Sequence, residues 1–161
     1  MGAVKRTSFA GMECSIARTL EVVGEWWSLL IVRDAFLGVR RFEDFQHRLG
    51  VSRNVLAERL AKLVGSGILE PVRYLEHPPR SEYRLTDKGR DLYPVIVSLR
   101  QWGDRWMQDG APPVVVRHLD CGMETEAVLT CRHCGGEITA RNVRASGSVV
   151  PLEPERPVPV G

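Results

Sequence analysis

Apolar positions recur at helical spacing through the first two-thirds of the chain. Ile16, Leu20 and Val23 lie on one stripe, and Leu29, Leu30, Val32, Phe36 and Leu37 form a second after Gly24. The pattern predicts two helices, broken near Gly24 and Glu25, the second ending at Gly38. Phe42, Phe45 and Leu49 then follow at i, i+3 and i+7, and Gly50 is placed to close this short helix in the left-handed conformation. Ser52 is a natural N-cap for the next helix, whose Leu56, Leu60 and Leu63 form one buried stripe. Its opposite face carries Arg53, Asn54, Ala57, Glu58, Ala61 and Lys62, polar or small near the N-terminus. Two short helices joined through a glycine turn, the second presenting such a face, make a helix-turn-helix.

Beyond this pair the period changes from helical to alternating. Val72 and Tyr74 in "ILEPVRYLE" and Tyr83 and Leu85 in "SEYRLT" predict a hairpin, because the connecting "HPPR" contains two prolines that cannot continue a helix. Arg80, with His77, is expected at its basic tip. Thr86 then caps a helical pattern through Leu92, Val95, Ile96, Leu99, Trp102 and Trp106, where Pro94 calls for a kink or two consecutive helices. Trp102 and Trp106 stand one turn apart and widen an apolar face that has little left to pack against, so a partner chain is its natural cover. "DGAPPVV" reads as a linker, and the proline-rich tail "SGSVVPLEPERPVPVG" is expected to be extended or disordered. The sequence shows no internal repeat.

Composition narrows the class. A 161-residue chain with 43% hydrophobic and 26% charged residues fits a soluble globular protein able to bury its own core. The apolar run around "WWSLLIV" stops at Arg33, too short to span a bilayer, and "MGAVKRTSFAGMECS" has no apolar segment of a secretory signal. A cytoplasmic protein with reduced thiols and no membrane association is expected. Net charge is only +2, but Arg33 to Arg90 carry 12 Lys or Arg against 8 Asp or Glu, so the basic excess sits on the helix-turn-helix and hairpin.

The conspicuous chemistry lies later. His118-x2-Cys121 and Cys131-x2-Cys134 are two ligand pairs separated by nine residues, with Gly122 and Gly135 directly after the second donor of each. That spacing fits a zinc-ribbon-like site with one structural zinc and no open position for water. A Cys131–Cys134 redox pair, or no special chemistry, are the alternatives. No Ser-His-Asp set, phosphate loop or paired carboxylates point to an enzyme.

Three segments, "CSIARTLEVVGEWWSLLIVRDAFLGVRRFEDF", "VSRNVLAERLAKLVGSGILEPVRY" and "PPRSEYRLTDKGRDLYPVI", together resemble the HxlR-type winged helix-turn-helix transcriptional regulators, relatives of the MarR group. The resemblance spans about Cys14 to Trp106. It implies a mainly α fold with a β-hairpin wing, and a homodimer on double-stranded operator DNA whose first and last helices form the interface. On that reading Arg53 addresses a guanine edge, Asn54 an adenine and Ala57 a thymine methyl, Ser52 binds a phosphate, and Lys62 is a further DNA-binding candidate. Arg80 reaches the minor groove or its phosphates, with Arg84 and Lys88 as weaker candidates.

Several family members sense oxidants or electrophiles through a cysteine at the position of Cys14, which here begins a helix whose dipole favours a thiolate. Trp26 and Trp27 are read either as core or as the lining of a small-molecule pocket. The expected organisation is residues 1–110 as DNA-binding and dimerisation domain, 111–145 as a zinc-ribbon-like appendage and 146–161 as the tail. A rival reading is a winged helix that binds proteins, a transcription cofactor with a zinc-ribbon appendage.

Overall fold

The helical periods read along the sequence appear as separate helices in the computed structural model, which describes residues 8, 9, 11–77 and 79–146. Their order is α1 (Ser15–Val23), α2 (Trp26–Phe36), α3 (Phe42–Leu49), α4 (Arg53–Gly65), β1 (Leu69–Leu75), β2 (Arg80–Leu85), α5 (Asp87–Arg90) and α6 (Tyr93–Trp106). The chain divides into two units, Met1–Val114 and Val115–Gly161. The fold is the expected mainly α arrangement with one antiparallel hairpin. The expectation for the proline-rich tail falls outside the described residues from position 147 onward.

One core organises the first unit. Ile31, Val32 and Ala35 of α2, Phe45 of α3 and Leu56, Leu60 and Leu63 of α4 meet Ile68, Leu69 and Leu85 of the hairpin region, all buried. Helix α4 packs against α1, α2, α3 and β1, so its rotation about its own axis is set from several sides. Gly50 closes α3 at φ 63°, a conformation a side chain would strain, and Ser52 caps α4 by accepting a hydrogen bond from the Val55 amide.

Asp34 has no exposed surface, yet it is ionisable. Its carboxylate meets Arg33 on its own helix at 2.9 Å and Arg48 of α3 at 3.3 Å. Both lone-pair edges are thereby occupied by cations, the condition for keeping a charge inside. The pairing also ties α3 to α2. Midway along α4, Arg59 bridges Glu25, the N-cap residue of α2, at 3.2 Å.

The hairpin is joined to this frame at both ends. The Tyr83 amide donates to the Arg40 carbonyl at 2.7 Å, holding β2 beside the segment between α2 and α3. Thr86 donates its hydroxyl to the Gly67 and Ile68 carbonyls and accepts from the Gly89 amide, so one side chain caps α5 and closes the strand pair. Pro94 stands at the start of α6 rather than inside it: of the two outcomes expected there, the chain takes two consecutive helices, α5 and α6.

Arg80 stands at the turn end of the hairpin, as expected for its tip, in the last strand pair opposite Leu75. Along the stripe of α1 only Val23 reaches the core, beside the buried Ala17, while Ile16 is 71% and Leu20 43% exposed. The packed side of α1 is set by contact with α2 and α4, which the helical period alone does not specify.

The second unit is built differently. Arg117 bridges Glu124 and Thr130 bridges Glu137, each bracketing a tight turn, and no described residue of this unit is buried.

Truncating Leu60 to Ala should cost about 2–5 kcal/mol of unfolding free energy. Ile16→Ala, on the exposed side of α1, should change the stability of a dilute single chain by no more than about 0.5 kcal/mol. Urea titrations followed by far-UV circular dichroism read both values, and equal losses would contradict the assigned core.

Candidate nucleic-acid interface

Burial of the leucine stripe turns the first turns of α4 outward. Ser52, Arg53, Asn54, Ala57, Glu58 and Ala61 are exposed, and Lys62 is half-buried near the C-terminal end. The Arg53 guanidinium lies 4.8 Å from the Phe42 ring centroid, so the ring holds a flexible side chain without removing its charge. Asn54 and Ala57 leave the surface shallow beside it. Glu58 is drawn aside into a 2.9 Å ion pair with Arg59. The result is a convex, polar helix edge with Arg53 at its N-terminal end.

The hairpin carries a second set of cations, and they are not equivalent. Arg80 is exposed, and no described residue pairs with its guanidinium. Arg84 is engaged by Glu82 at 3.2 Å, and Glu82 also meets Arg41 at 3.6 Å. Arg41 in turn lies over the Tyr74 ring at 4.9 Å. Lys88 donates to the Ser66 carbonyl at 2.7 Å, where it satisfies an orphan acceptor at the C-terminal end of α4. Arg84 and Lys88 therefore brace the hairpin and the C-terminal end of α4. His77 is exposed within the turn.

Sequence reasoning missed the residues that aim this surface. Asp34, Arg48, Arg59 and Glu25 have no local signature, because each partner pair joins different elements across the fold. Phe42 was assigned to a helical stripe, and its second role as a platform for Arg53 depends on the angle between α3 and α4.

Other expected sites are dispersed. Cys14 is the N-cap residue of α1 and half-buried. Trp27 packs against the core, whereas Trp26 is 89% exposed, so the adjacent rings do not share one environment. On α6, Val97 is buried while Leu99, Trp102 and Trp106 are exposed. In the second unit, the His118 Nδ1 lies 3.4 Å from the Cys121 Sγ. The backbone amides of Cys134 and His133, with the Cys134 side chain, direct hydrogen bonds to Cys131 and hold its thiol below the usual range. Among the described residues no three His, Cys, Asp or Glu side chains form a single metal-binding group. The donors stand as two pairs.

The HxlR-like helix-turn-helix family matches residues 22–111, which contain every element from the end of α1 to α6. The chain belongs to that family. It is 51% identical over 130 residues to an uncharacterized HTH-type transcriptional regulator, Rv3095, of Mycobacterium tuberculosis, covering 80% of this chain and 82% of the relative. Among solved structures it resembles PA1607, a candidate transcription factor, with 40% identity and a TM-score of 0.78 over 87% of this chain and 99% of that one. It also resembles the redox regulator HypR in its oxidized form, at 30% identity and a TM-score of 0.54 over 60% of this chain and all of HypR. The protein is thus a transcriptional regulator with a helix-turn-helix DNA-binding domain, and not an enzyme. The matches to Rv3095 and PA1607 are too long to end at residue 111, so they continue beyond the winged helix. No described helix is long and apolar enough to cross a membrane.

Proposed function

We propose that this protein acts in the cytoplasm as a homodimer that recognises a specific duplex operator. The observation that carries the proposal is the pairing of a buried Leu56, Leu60 and Leu63 stripe with an exposed Arg53, Asn54 and Ala57 edge on the same helix. Such an edge suits the major groove. A guanidinium donates two bonds to guanine O6 and N7, a carboxamide both donates to and accepts from adenine, and a small methyl fits against thymine. Ser52 and the N-terminal amides of α4 offer a neighbouring phosphate an anion site. Lys62 meets the backbone farther along, and Arg80 on β2 reaches across to the minor groove or its phosphates.

The dimer rests on exposed apolar surface at both ends of the winged helix. Ile16 and Leu20 of α1 and Val95, Leu99, Trp102 and Trp106 of α6 are at least 40% exposed. Covering such residues by a second copy removes them from water and gives the two recognition helices a two-fold relation, as a symmetric operator requires.

A regulatory signal would act at Cys14. Its thiol sits at the first turn of α1, the helix that carries Ile16 and Leu20, so oxidation or addition of an electrophile there would disturb the dimer surface. The likeness to HypR, a redox regulator, supports the same assignment.

Three measurements test this reading. In fluorescence anisotropy with promoter DNA, Arg53→Ala should lose about 1–3 kcal/mol of discrimination at one base pair, while Arg80→Ala should weaken all sequences alike and lower the salt slope by about one. Unchanged affinity in both variants would refute the interface. Sedimentation of a Trp102→Glu, Trp106→Glu double variant should show monomers, with operator affinity at least about tenfold lower; a persistent dimer would remove α6 from the interface. Treatment with a quinone or peroxide should alter operator binding of the parent protein and not of Cys14→Ser, and identical responses would exclude Cys14 as the sensor.

A further inference from the structure

The two Cys/His loops of the second unit share one backbone fold that extends well past the donor pairs seen in the sequence. The Gly122 amide donates to the His118 carbonyl at 2.8 Å, and thirteen residues later the Gly135 amide donates to the Cys131 carbonyl at 2.8 Å. The His118 amide donates to the Met123 carbonyl at 2.9 Å, matched by Cys131 to Gly136 at 2.8 Å. Thr125 to Val116 at 2.9 Å is matched by Ile138 to Leu129 at 2.8 Å, and the bridges Arg117–Glu124 and Thr130–Glu137 keep the same offset. Gly122 and Gly135 adopt φ 70° and 71°, left-handed values that only glycine takes freely.

Nothing apolar accounts for this order. Among residues 115–146 only Val116, Cys131 and Ile138 are even half-buried, and Leu119, Met123, Val128 and Leu129 face solvent. A unit this small without a core needs a covalent or metal staple. All four cysteines of the chain are free thiols. A Cys131–Cys134 disulfide would close only a four-residue loop within one of the turns, where chain-entropy stabilisation is smallest and the other turn is left unattached.

In the first turn the two donors stand at the separation of neighbours on a tetrahedral ion. Zinc bonds of about 2.0 Å to nitrogen and 2.3 Å to sulfur put those two atoms about 3.5 Å apart, and His118 Nδ1 lies 3.4 Å from Cys121 Sγ. The other ring nitrogen of His118 faces the Asp120 carboxylate at 3.7 Å, the kind of partner that orients a ligating imidazole.

We propose that His118, Cys121, Cys131 and Cys134 bind one structural zinc ion that joins the two turns and serves the second unit in place of a hydrophobic core. Binding releases the three thiol protons to solvent, leaves the imidazole neutral and changes no oxidation state. With four protein ligands the ion keeps no open position, so its role is to hold the unit together. His133, between two ligands in sequence, lies outside the set.

The full chain purified without a histidine tag and analysed by plasma mass spectrometry should contain about one equivalent of zinc. Cobalt substitution should give the intense d–d bands of a tetrahedral site together with thiolate-to-metal charge transfer. His118→Ala, Cys121→Ser, Cys131→Ser and Cys134→Ser should each lower zinc at least about fivefold, with His133→Ala unchanged. Chelation of the parent protein should expose residues 115–146 to protease, and added zinc should restore protection. Zinc below about a tenth of an equivalent in the parent, or full zinc in Cys131→Ser, would overturn the proposal. A Cys131–Cys134 disulfide in metal-free protein that resists protease would overturn it as well.

Discussion

Burial of Leu56, Leu60 and Leu63 is the constraint on which the rest of the winged helix depends. A helix with one apolar stripe has one way to face the core, so filling that contact with α1, α2, α3 and β1 also decides which residues α4 shows to solvent. Each fully buried leucine is worth roughly 1.5–3 kcal/mol, several times what any exposed ion pair supplies. The polar edge bearing Arg53, Asn54 and Ala57 is therefore a consequence of apolar packing. Polar contacts then refine the position. The buried Asp34 fixes α3 through Arg48, the Glu25–Arg59 bridge braces α4 against the start of α2, and Lys88 satisfies the carbonyl at its end.

That frame explains why similar cations on the wing differ in what they can do. Arg84 and Arg41 converge on Glu82, and their charge is spent on holding the hairpin. Arg80, at the start of β2, is exposed and pairs with no described residue, so its guanidinium stays open to solvent. Arg53 occupies an intermediate position, because stacking on Phe42 restricts its motion but leaves its donors outward. A donor held in place loses less conformational freedom when it meets a base edge.

Much of the fold was legible because its signals are local. Gly50, the Ser52 cap, the leucine stripe of α4, the hairpin and the Thr86 cap each depend on residues within a turn or two of one another, and each appears where the spacing put it. Asp34 was not legible as a buried ion: its second partner is fourteen residues away on another helix. The exposure of Ile16 and Leu20 escaped for a related reason, since periodicity shows that a stripe exists and not whether this chain itself covers it. Among the candidate contacts, Arg53 and Arg80 could be proposed from residue type and position, but only side-chain geometry separates them from Arg84 and Lys88. The paired donors and following glycines were visible in the sequence, but with few further identities, Val115 with Val128 and Glu124 with Glu137, only the matched backbone hydrogen bonds show that the whole turn repeats every thirteen residues.

The central claim is that one helix edge, aimed by the leucine core, reads base sequence. Selection of duplexes from a random pool by the intact protein at low salt, followed by sequencing of the bound fraction, tests it most directly. The account predicts enrichment of a two-fold symmetric motif, with Asn54→Ala relaxing the preference at a fixed position in each half-site. Enrichment of no motif, or an identical motif with Arg53 and Asn54 both replaced by Ala, would contradict it.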